Sequence, residues 1–358
     1  MSTVKVLHVI ARMNVGGTAR YVGDLVQNIP NSALATGYVQ GSEIEDPIVN
    51  TINPYRIPHM GRKISPVNDF KAWLELRKLI HELKPEIVHT HTFKAGLIGR
   101  LVGKDHKRVH TFHGHLYGDQ SFSVFEKMII SALEKFLSNR TDLLISVGVK
   151  VGLELRAQGI GTNRSWRSIA PGVDPLPTID KAQARELLGL DQDQIIFGWM
   201  ARMTAVKNPH LLIEVAKFMP LVHFVMAGGG DLLEEIKKAA PANVSVIGWA
   251  DGATFWSAVD CAISTSDNEG MPIALIEAQL AGIPVIATDV GSNSEVISND
   301  STGLLTQVNV TSMASAIQQL LAESALTTSM GKAAKIWSTN AFAKDKMLKE
   351  HLQNYQDL

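Results

Sequence analysis

The residues best equipped for chemistry lie in the run Ser264-Thr265-Ser266-Asp267-Asn268-Glu269-Gly270-Met271-Pro272-Ile273-Ala274-Leu275-Ile276-Glu277. A strand is expected to end in the polar loop carrying Glu269 and Gly270. Pro272 then opens a helix at its first turn, where its fixed φ and missing N–H are tolerated, and Glu277 rides on that helix. The amides of Gly270, Met271 and Ile273 are left facing outward as an anion site. Glu269 and Glu277 can accept hydrogen bonds from hydroxyl groups. Two isolated glutamates would ordinarily be solvated surface charges, but Glu277 interrupts the mostly apolar stretch Pro272–Leu280, and a carboxylate there requires partners. The helix is expected to end at Gly282, and Pro284 to restart a strand.

Upstream, Arg202 follows the apolar run Ile195–Met200, and Lys207 stands five residues later. Two cations at the C-terminal edge of a strand suit a diphosphate, because arginine offers a planar fork of donors and lysine a point charge. Alone, the pair would read as surface charge on a loop. Near the start, Asn14-Val15-Gly16-Gly17-Thr18 joins the run Val4–Ile10 to a helix beginning near Ala19. Its glycines serve either a tight strand-to-helix turn or a close backbone approach to phosphate at the helix N-terminus. The spacing is not GxGxxG, so the dinucleotide fingerprint is missing. Histidines gather at His89 and His91, and at His110, His113 and His115, each group at the C-terminal end of an expected strand. Ligands of open α/β sheets bind at that edge. Three readings stay open. A zinc site would want a defined ligand set, and the His-x-His pairs lack helical spacing or cysteine partners. Scattered structural histidines fit the residue's intermediate burial preference. For His113 an active-site role is favoured, with a neutral imidazole hydrogen-bonding a hydroxyl or steadying a cationic centre.

Apolar strand-like runs must hold these residues: Val4–Ile10, Ile87–Val88 leading into His89, Val109–Phe112, Leu143–Val147, Ile195–Met200, Val222–Ala227, Val244–Ile247, Ala262–Ser264 and Pro284–Thr288. They alternate with helical segments, which predicts parallel α/β sheets. The helix Asn68–Leu83 is expected to be capped by Asn68 or Asp69, to pack through Phe70, Trp73, Leu76, Ile80 and Leu83, and to stop at Pro85. Between the two strand series, Gly159–Pro177 is rich in Gly, Asn, Ser and Pro and reads as the linker, followed by a helix over Lys181–Leu188. At 358 residues the chain exceeds the usual limit of one core. Domains are therefore expected at 1–172 and 173–340, with a terminal helix within 341–358. A 45% apolar, 19% charged composition is that of a globular chain, and a net charge of −1 gives no reason to expect nucleic acid as a partner. The one cysteine, Cys261, reads as a buried core thiol, compatible with a reducing cytoplasm. No apolar run reaches the roughly 18 residues of a spanning helix, and the N-terminus carries no signal segment. A cluster of Arg100, Lys104, Lys107 and Arg108 could touch anionic lipid, although a solvated face is the better reading.

Glu269 and Glu277, with seven residues between them, resemble the ExxxxxxxE signature of glycosyltransferase family 4. Ile283-Pro284-Val285-Ile286-Ala287 is similar to the strand that follows it, and Gly16-Gly17 to the family's N-terminal glycine loop. The resemblance covers essentially the whole chain. It implies the GT-B fold: two facing Rossmann-like domains with the C-terminal helix crossing back to the first, the acceptor on the first domain and the donor nucleotide on the second. Carried over, Glu269 would bind the donor sugar, Glu277 the ribose, Arg202 and Lys207 the diphosphate, and Gly16 and Gly17 a phosphate from the first domain. His113, in His110-Thr111-Phe112-His113, resembles the histidine beside the transferred sugar. The family uses no metal, because Arg and Lys replace it. Departures are Ala201-Arg202-Met203 for the common Gly-Arg-Leu, Pro171-Gly172-Val173-Asp174 for Asn-Gly-Val-Asp, and a loosely matching Gly228-Gly229-Gly230-Asp231; they blur the subfamily and leave every charged contact in place.

The implied activity is retaining transfer of a hexose or N-acetylhexosamine from a nucleoside-diphosphate sugar, expected to be UDP-linked, to a glycan or lipid-linked oligosaccharide in polysaccharide biosynthesis. The nucleotide sugar is a co-substrate, with no cofactor or metal. A cytoplasmic protein is expected, with peripheral contact at the inner membrane face compatible. The rival activity is a UDP-sugar epimerase on the same fold, which fold alone does not exclude. A nicotinamide oxidoreductase lacks its fingerprint, and a non-catalytic binding subunit would show no transfer.

Overall fold

A computed structural model describes residues 5–41, 43–61, 64–103, 105–114 and 123–358. His115 and Lys104 lie outside the described residues. The chain forms two compact units, one built from residues up to Gly172 together with Lys344–Leu358, the other running from Val173 to Ala343.

The first unit's strands are β1 (Val6–Ile10), β2 (Ser32–Thr36), β3 (Tyr55–Arg56), β4 (Ile87–His91), β5 (Lys107–Phe112), β6 (Leu143–Ser146) and β7 (Ser165–Ser168), all parallel in the order β3-β2-β1-β4-β5-β6-β7. The second unit has β8 (Ile196–Met200), β9 (His223–Ala227), β10 (Val244–Gly248), β11 (Cys261–Ser264), β12 (Val285–Thr288) and β13 (Gly303–Thr306), parallel in the order β10-β9-β8-β11-β12-β13. Both sheets carry helices at their crossovers and are buried, so β1, β4, β6 and β12 are buried along their whole length. In each sheet the strand order reverses once, between β1 and β4 and between β8 and β11. Such reversals open the crevices in which α/β sheets bind ligands.

One face of the first sheet packs Leu7, Val9 and Val88 against Leu76, Leu79 and Ile80; on the other, Ile10 and Leu34 meet Ala19 and Val22 of the helix Gly17–Asn28. The second unit centres on Phe197, Trp199, Leu212, Met226, Ile263, Ile286 and Ile317. Cys261 is buried there, and burial pushes its thiol pKa up.

Several expectations need correction. The segment read as a linker contains β7, an edge strand in which only Trp166 is buried; it stacks on Phe112 and donates Nε1–H to the Gly161 carbonyl at 2.9 Å. A short edge strand with one inward side chain has a loop's composition. The helix expected from Asn68 begins at Pro66 after Ser65, with Asp69 in its first turn. Phe70 does not pack inward: it is 61% exposed and stacks on Trp73, while Ala72, Leu76, Leu79 and Ile80 form the buried stripe. Pro272 is the N-cap of the helix Ile273–Leu280 and lies outside its first turn. Arg100 belongs neither to a solvated face, the favoured reading, nor to a lipid-facing cluster, since it is fully buried and gives two hydrogen bonds, 2.7 and 2.8 Å, to Glu134.

Candidate active site

In the second unit the charged residues follow β8 and β11, the strands flanking the reversal. After β8 the chain passes Arg202, which is exposed, and makes a single 3₁₀ turn, Ala205–Lys207. After β11 it enters the loop of Glu269. Hydrogen bonds tie the two loops together. Thr265 accepts from Trp199 Nε1 at 3.0 Å and donates to the Lys207 and Asn208 carbonyls; Asn208 Nδ2 donates to Asp267 at 2.9 Å, and the Asp267 amide to the Val206 carbonyl at 2.9 Å. The result is a buried Glu269 whose Oε1 accepts from Lys207 Nζ at 2.5 Å and from Ser266 Oγ at 2.7 Å. A carboxylate this buried requires partners, and Lys207 and Ser266 supply them.

The helix Ile273–Leu280 starts directly behind this loop with no side chain capping it, so its first amides and positive dipole end remain available to an anion. Gly270, Met271 and Ile273 are half-buried, and Glu277, one turn further on, is buried as its setting in an apolar helix predicts. The turn Gly228-Gly229-Gly230 packs so tightly on 201–203 that a Cβ at Gly228 would overlap the Ala201 carbonyl. Sequence reasoning missed Gly291. It takes φ +50, and a Cβ there would overlap the carbonyl oxygen of Glu269. The only local signal was a glycine three residues past the expected strand Pro284–Thr288.

In the first unit, Gly16 is the N-cap of the helix Gly17–Asn28, two residues earlier than expected, with φ +147, open space where a Cβ would stand and no side-chain cap. Gly16 and Gly17 are exposed, following β1 at the reversal. The histidines are not scattered. Register places His8 of β1 opposite His89 of β4, and Ile10 opposite His91; Thr111 of β5 pairs with His91, and His113 follows two residues on. Side chains alternate along strands, so His8, His89, His91 and His113 share one sheet face. His110 belongs to the other, bonded to Thr90 at 2.8 Å. On the shared face His8 Nδ1 and His91 Nε2 are 3.0 Å apart, and His91 Nδ1 and His113 Nε2 3.1 Å. His89 bonds Thr111 at 2.7 Å and Tyr355 at 2.6 Å, and Tyr21 bonds His351 at 2.6 Å. His351 and Tyr355 come from the last helix, Lys344–Gln356, which covers the cluster. His8, Tyr21, His351 and Tyr355 carried no local motif; a polar residue inside the apolar run of β1 was the one available signal.

Burial sets the electrostatics. It holds His8, His113 and His351 at about 3 and drives His89, His91 and His110 well below the ordinary histidine value, so all six rings are neutral near pH 7. The nitrogens of His8, His89 and His91 lie close enough to share a metal ion. Both nitrogens of His89 and of His91 are engaged in the hydrogen bonds above, and an ion would have to displace them.

Residues 15–175 match the model of Glycosyltransferase Family 4, and residues 180–337 match that of Glycosyl transferases group 1. The chain belongs to glycosyltransferase family 4. This glycosyltransferase is 27% identical over 331 residues to the UDP-Gal:alpha-D-GlcNAc-diphosphoundecaprenol alpha-1,3-galactosyltransferase of Escherichia coli, covering 86% of this chain and 85% of that one. It is 29% identical over 245 residues to the O-antigen biosynthesis glycosyltransferase WbnH of Escherichia coli, covering 67% and 68%. Its fold is that of HepE from Anabaena, solved with UDP and glucose, with a TM-score of 0.84 at 17% identity over 99% of this chain and 100% of that one. Sucrose-phosphate synthase from Thermosynechococcus elongatus gives 0.83 at 19% identity, over 99% and 98%. The fold class is GT-B, an α/β architecture of two Rossmann-like units. The two Escherichia coli relatives are glycosyltransferases, and the epimerase reading is not favoured. Among the described residues, no helix is long and apolar enough to cross a membrane.

Proposed function

We propose that this glycosyltransferase moves a hexose or N-acetylhexosamine from a UDP-sugar to a hydroxyl of a lipid-linked glycan in polysaccharide assembly, with retention of anomeric configuration. The observation that carries the reading is the Lys207–Glu269 pair beside an uncapped helix start at the reversal of the second sheet. Glu269 accepts from donor-sugar hydroxyls and Glu277 from the ribose. The ammonium of Lys207 has two N–H groups besides the one given to Glu269, and these with Arg202 offset the charge that grows on the leaving UDP, without a resident metal. Gly16 and Gly17 contact phosphate, and His113 stands beside the transferred sugar. The Escherichia coli galactosyltransferase, whose acceptor is a diphosphoundecaprenol-linked sugar, supports a lipid-linked acceptor.

Such an acceptor lies at a bilayer, and the reading includes a peripheral contact there. The helix Val124–Ser138 exposes Val124, Phe125, Met128, Ile129 and Phe136, with Lys135 and Arg140 exposed beside them and Arg140 lying over the Phe136 ring. An apolar band edged by cations suits an anionic leaflet. It takes the place of the cluster that included the buried Arg100.

The test is to incubate the purified chain with UDP-galactose, UDP-glucose or UDP-N-acetylglucosamine and undecaprenyl-diphosphate-linked N-acetylglucosamine, and to read product linkage by NMR. Transfer giving an α-linked product is expected. A β-linked product would overturn retention, and a new UDP-sugar formed from donor alone would restore the epimerase.

A further inference from the structure

His113 ends a row of three hydrogen-bonded imidazoles, and the row constrains its protons. A neutral imidazole has one N–H and one bare nitrogen. With contacts between His8 Nδ1 and His91 Nε2 and between His91 Nδ1 and His113 Nε2, only two proton arrangements satisfy both bonds. In one, every ring is protonated at Nδ1: His8 donates to His91, His91 to His113, and His113 keeps an Nδ1–H. In the other, every ring is protonated at Nε2 and donation runs the opposite way.

The far end decides between them. His8 is fully buried, and its Nε2 has no hydrogen-bond partner. The second arrangement puts an N–H on that atom, and a buried N–H without an acceptor is the rarer orphan in native proteins. The first leaves only a lone pair there. From the geometry we propose that His8 and His91 are positioning residues that fix His113 as its Nδ1–H tautomer, so that it meets the substrate as a hydrogen-bond donor. Burial keeps all three rings uncharged, which the argument requires.

Two further features hold the row in place. Tyr21 sets its ring edge-on to His113, with centroids 4.9 Å apart at 89°, while its hydroxyl is bonded to His351. Directly after His91, Thr92 takes φ +65, a conformation that a β-branched residue adopts only when its surroundings impose it. His113 is the only half-buried ring of the three, and its Nδ1 has no protein partner among the described residues. A donor there can bond a hydroxyl oxygen but cannot take a proton, so His113 is not a general base through that nitrogen.

The inference rests on His113 lying beside the transferred sugar, and the experiment separates the two ideas. In protein labelled with ¹⁵N-histidine, long-range ¹H–¹⁵N spectra at pH 7 should show a pyrrole-type Nδ1 and a pyridine-type Nε2 for His113. Removing the distant link with His8→Leu should mix the tautomers of His113 and lower kcat about 5- to 10-fold, the scale of a weakened hydrogen bond, with donor KM within twofold. His8→Asn, whose amide can donate from the place of Nδ1, should restore both. An Nε2–H signature in the unmodified enzyme overturns the proposal even if no variant folds. So does a kcat loss in His8→Leu with the His113 signature unchanged. The predicted signature together with wild-type turnover in His113→Ala would keep the row and remove His113 from the sugar.

Discussion

The two units equip their sheet reversals in opposite ways. In the first, polar groups are imidazoles sunk so far from water that they are neutral, held by mutual hydrogen bonds and covered by the last helix. In the second, the groups are an ammonium and a carboxylate: Lys207 and Glu269 pair at 2.5 Å beside a helix start. Neutral, oriented donors suit recognition of hydroxyls on a sugar, where an added charge would carry a desolvation cost. Fixed charges suit a diphosphate whose own charge increases as the bond to the sugar breaks. The same strand order thus carries two electrostatic settings, and the side chains at the reversal decide which.

The comparison is broken hardest at Lys207. Lys207→Ala leaves Glu269 buried without its cation and, on the proposed reading, removes a positive charge from the leaving group; it should lower kcat by about 100- to 1,000-fold. Steady-state turnover with the true donor and acceptor measures this, and a near-wild-type rate would refute the diphosphate role. Gly291→Ala tests whether the charged pair depends on backbone placement. Its Cβ must push the Glu269 carbonyl aside, and kcat/KM is expected to fall about 100-fold, the usual effect of displacing a catalytic group by roughly 1 Å. A smaller loss, shared between KM and stability alone, would mean that the loop yields.

On the neutral side, His113→Ala should depress kcat about 10- to 100-fold while donor affinity, read by calorimetry with UDP-sugar, changes little. Equal loss of donor binding with unchanged turnover would place His113 elsewhere. Acid sensitivity probes the same rings without any substitution. The folded-state values of His8, His113 and His351, near 3, lie below the unfolded value of 6.5, so unfolding takes up protons. Stability is full above about pH 6.5 and is lost as pH falls toward about 3, by up to about 1.4 kcal/mol per proton per pH unit. Urea denaturation between pH 7 and 4, followed through probes in the first unit, should show this slope, and a flat profile would contradict the buried neutral rings.

Legibility tracked the distance over which the information is spread. The helix Lys181–Leu188 matched its reading residue for residue, with Asp180 accepting from the amides of Ala182 and Gln183 and Gly189 ending it in a left-handed turn. β2, β3 and β13 gave no comparable pattern: Ser32–Thr36 holds no Val, Ile or aromatic residue, and Tyr55–Arg56 is only two residues long. The segment Ser264–Glu277 was legible because strand end, loop, helix start and both glutamates are contiguous. Gly291 was not, since its importance lies in a carbonyl it touches across the fold.

By itself the sequence determined the alternation of apolar strands and amphipathic helices, the pair Glu269 and Glu277 behind Pro272, and the cations Arg202 and Lys207, all set by spacing within a few turns of chain. Tertiary structure alone decided that His8, His89, His91, His113 and His351 form one assembly, that His110 faces away from it, and that Arg100 is spent on Glu134. Strand register selects the face each side chain occupies, and burial selects its charge. Neither is a property of any one segment, since both arise when distant segments exclude water together.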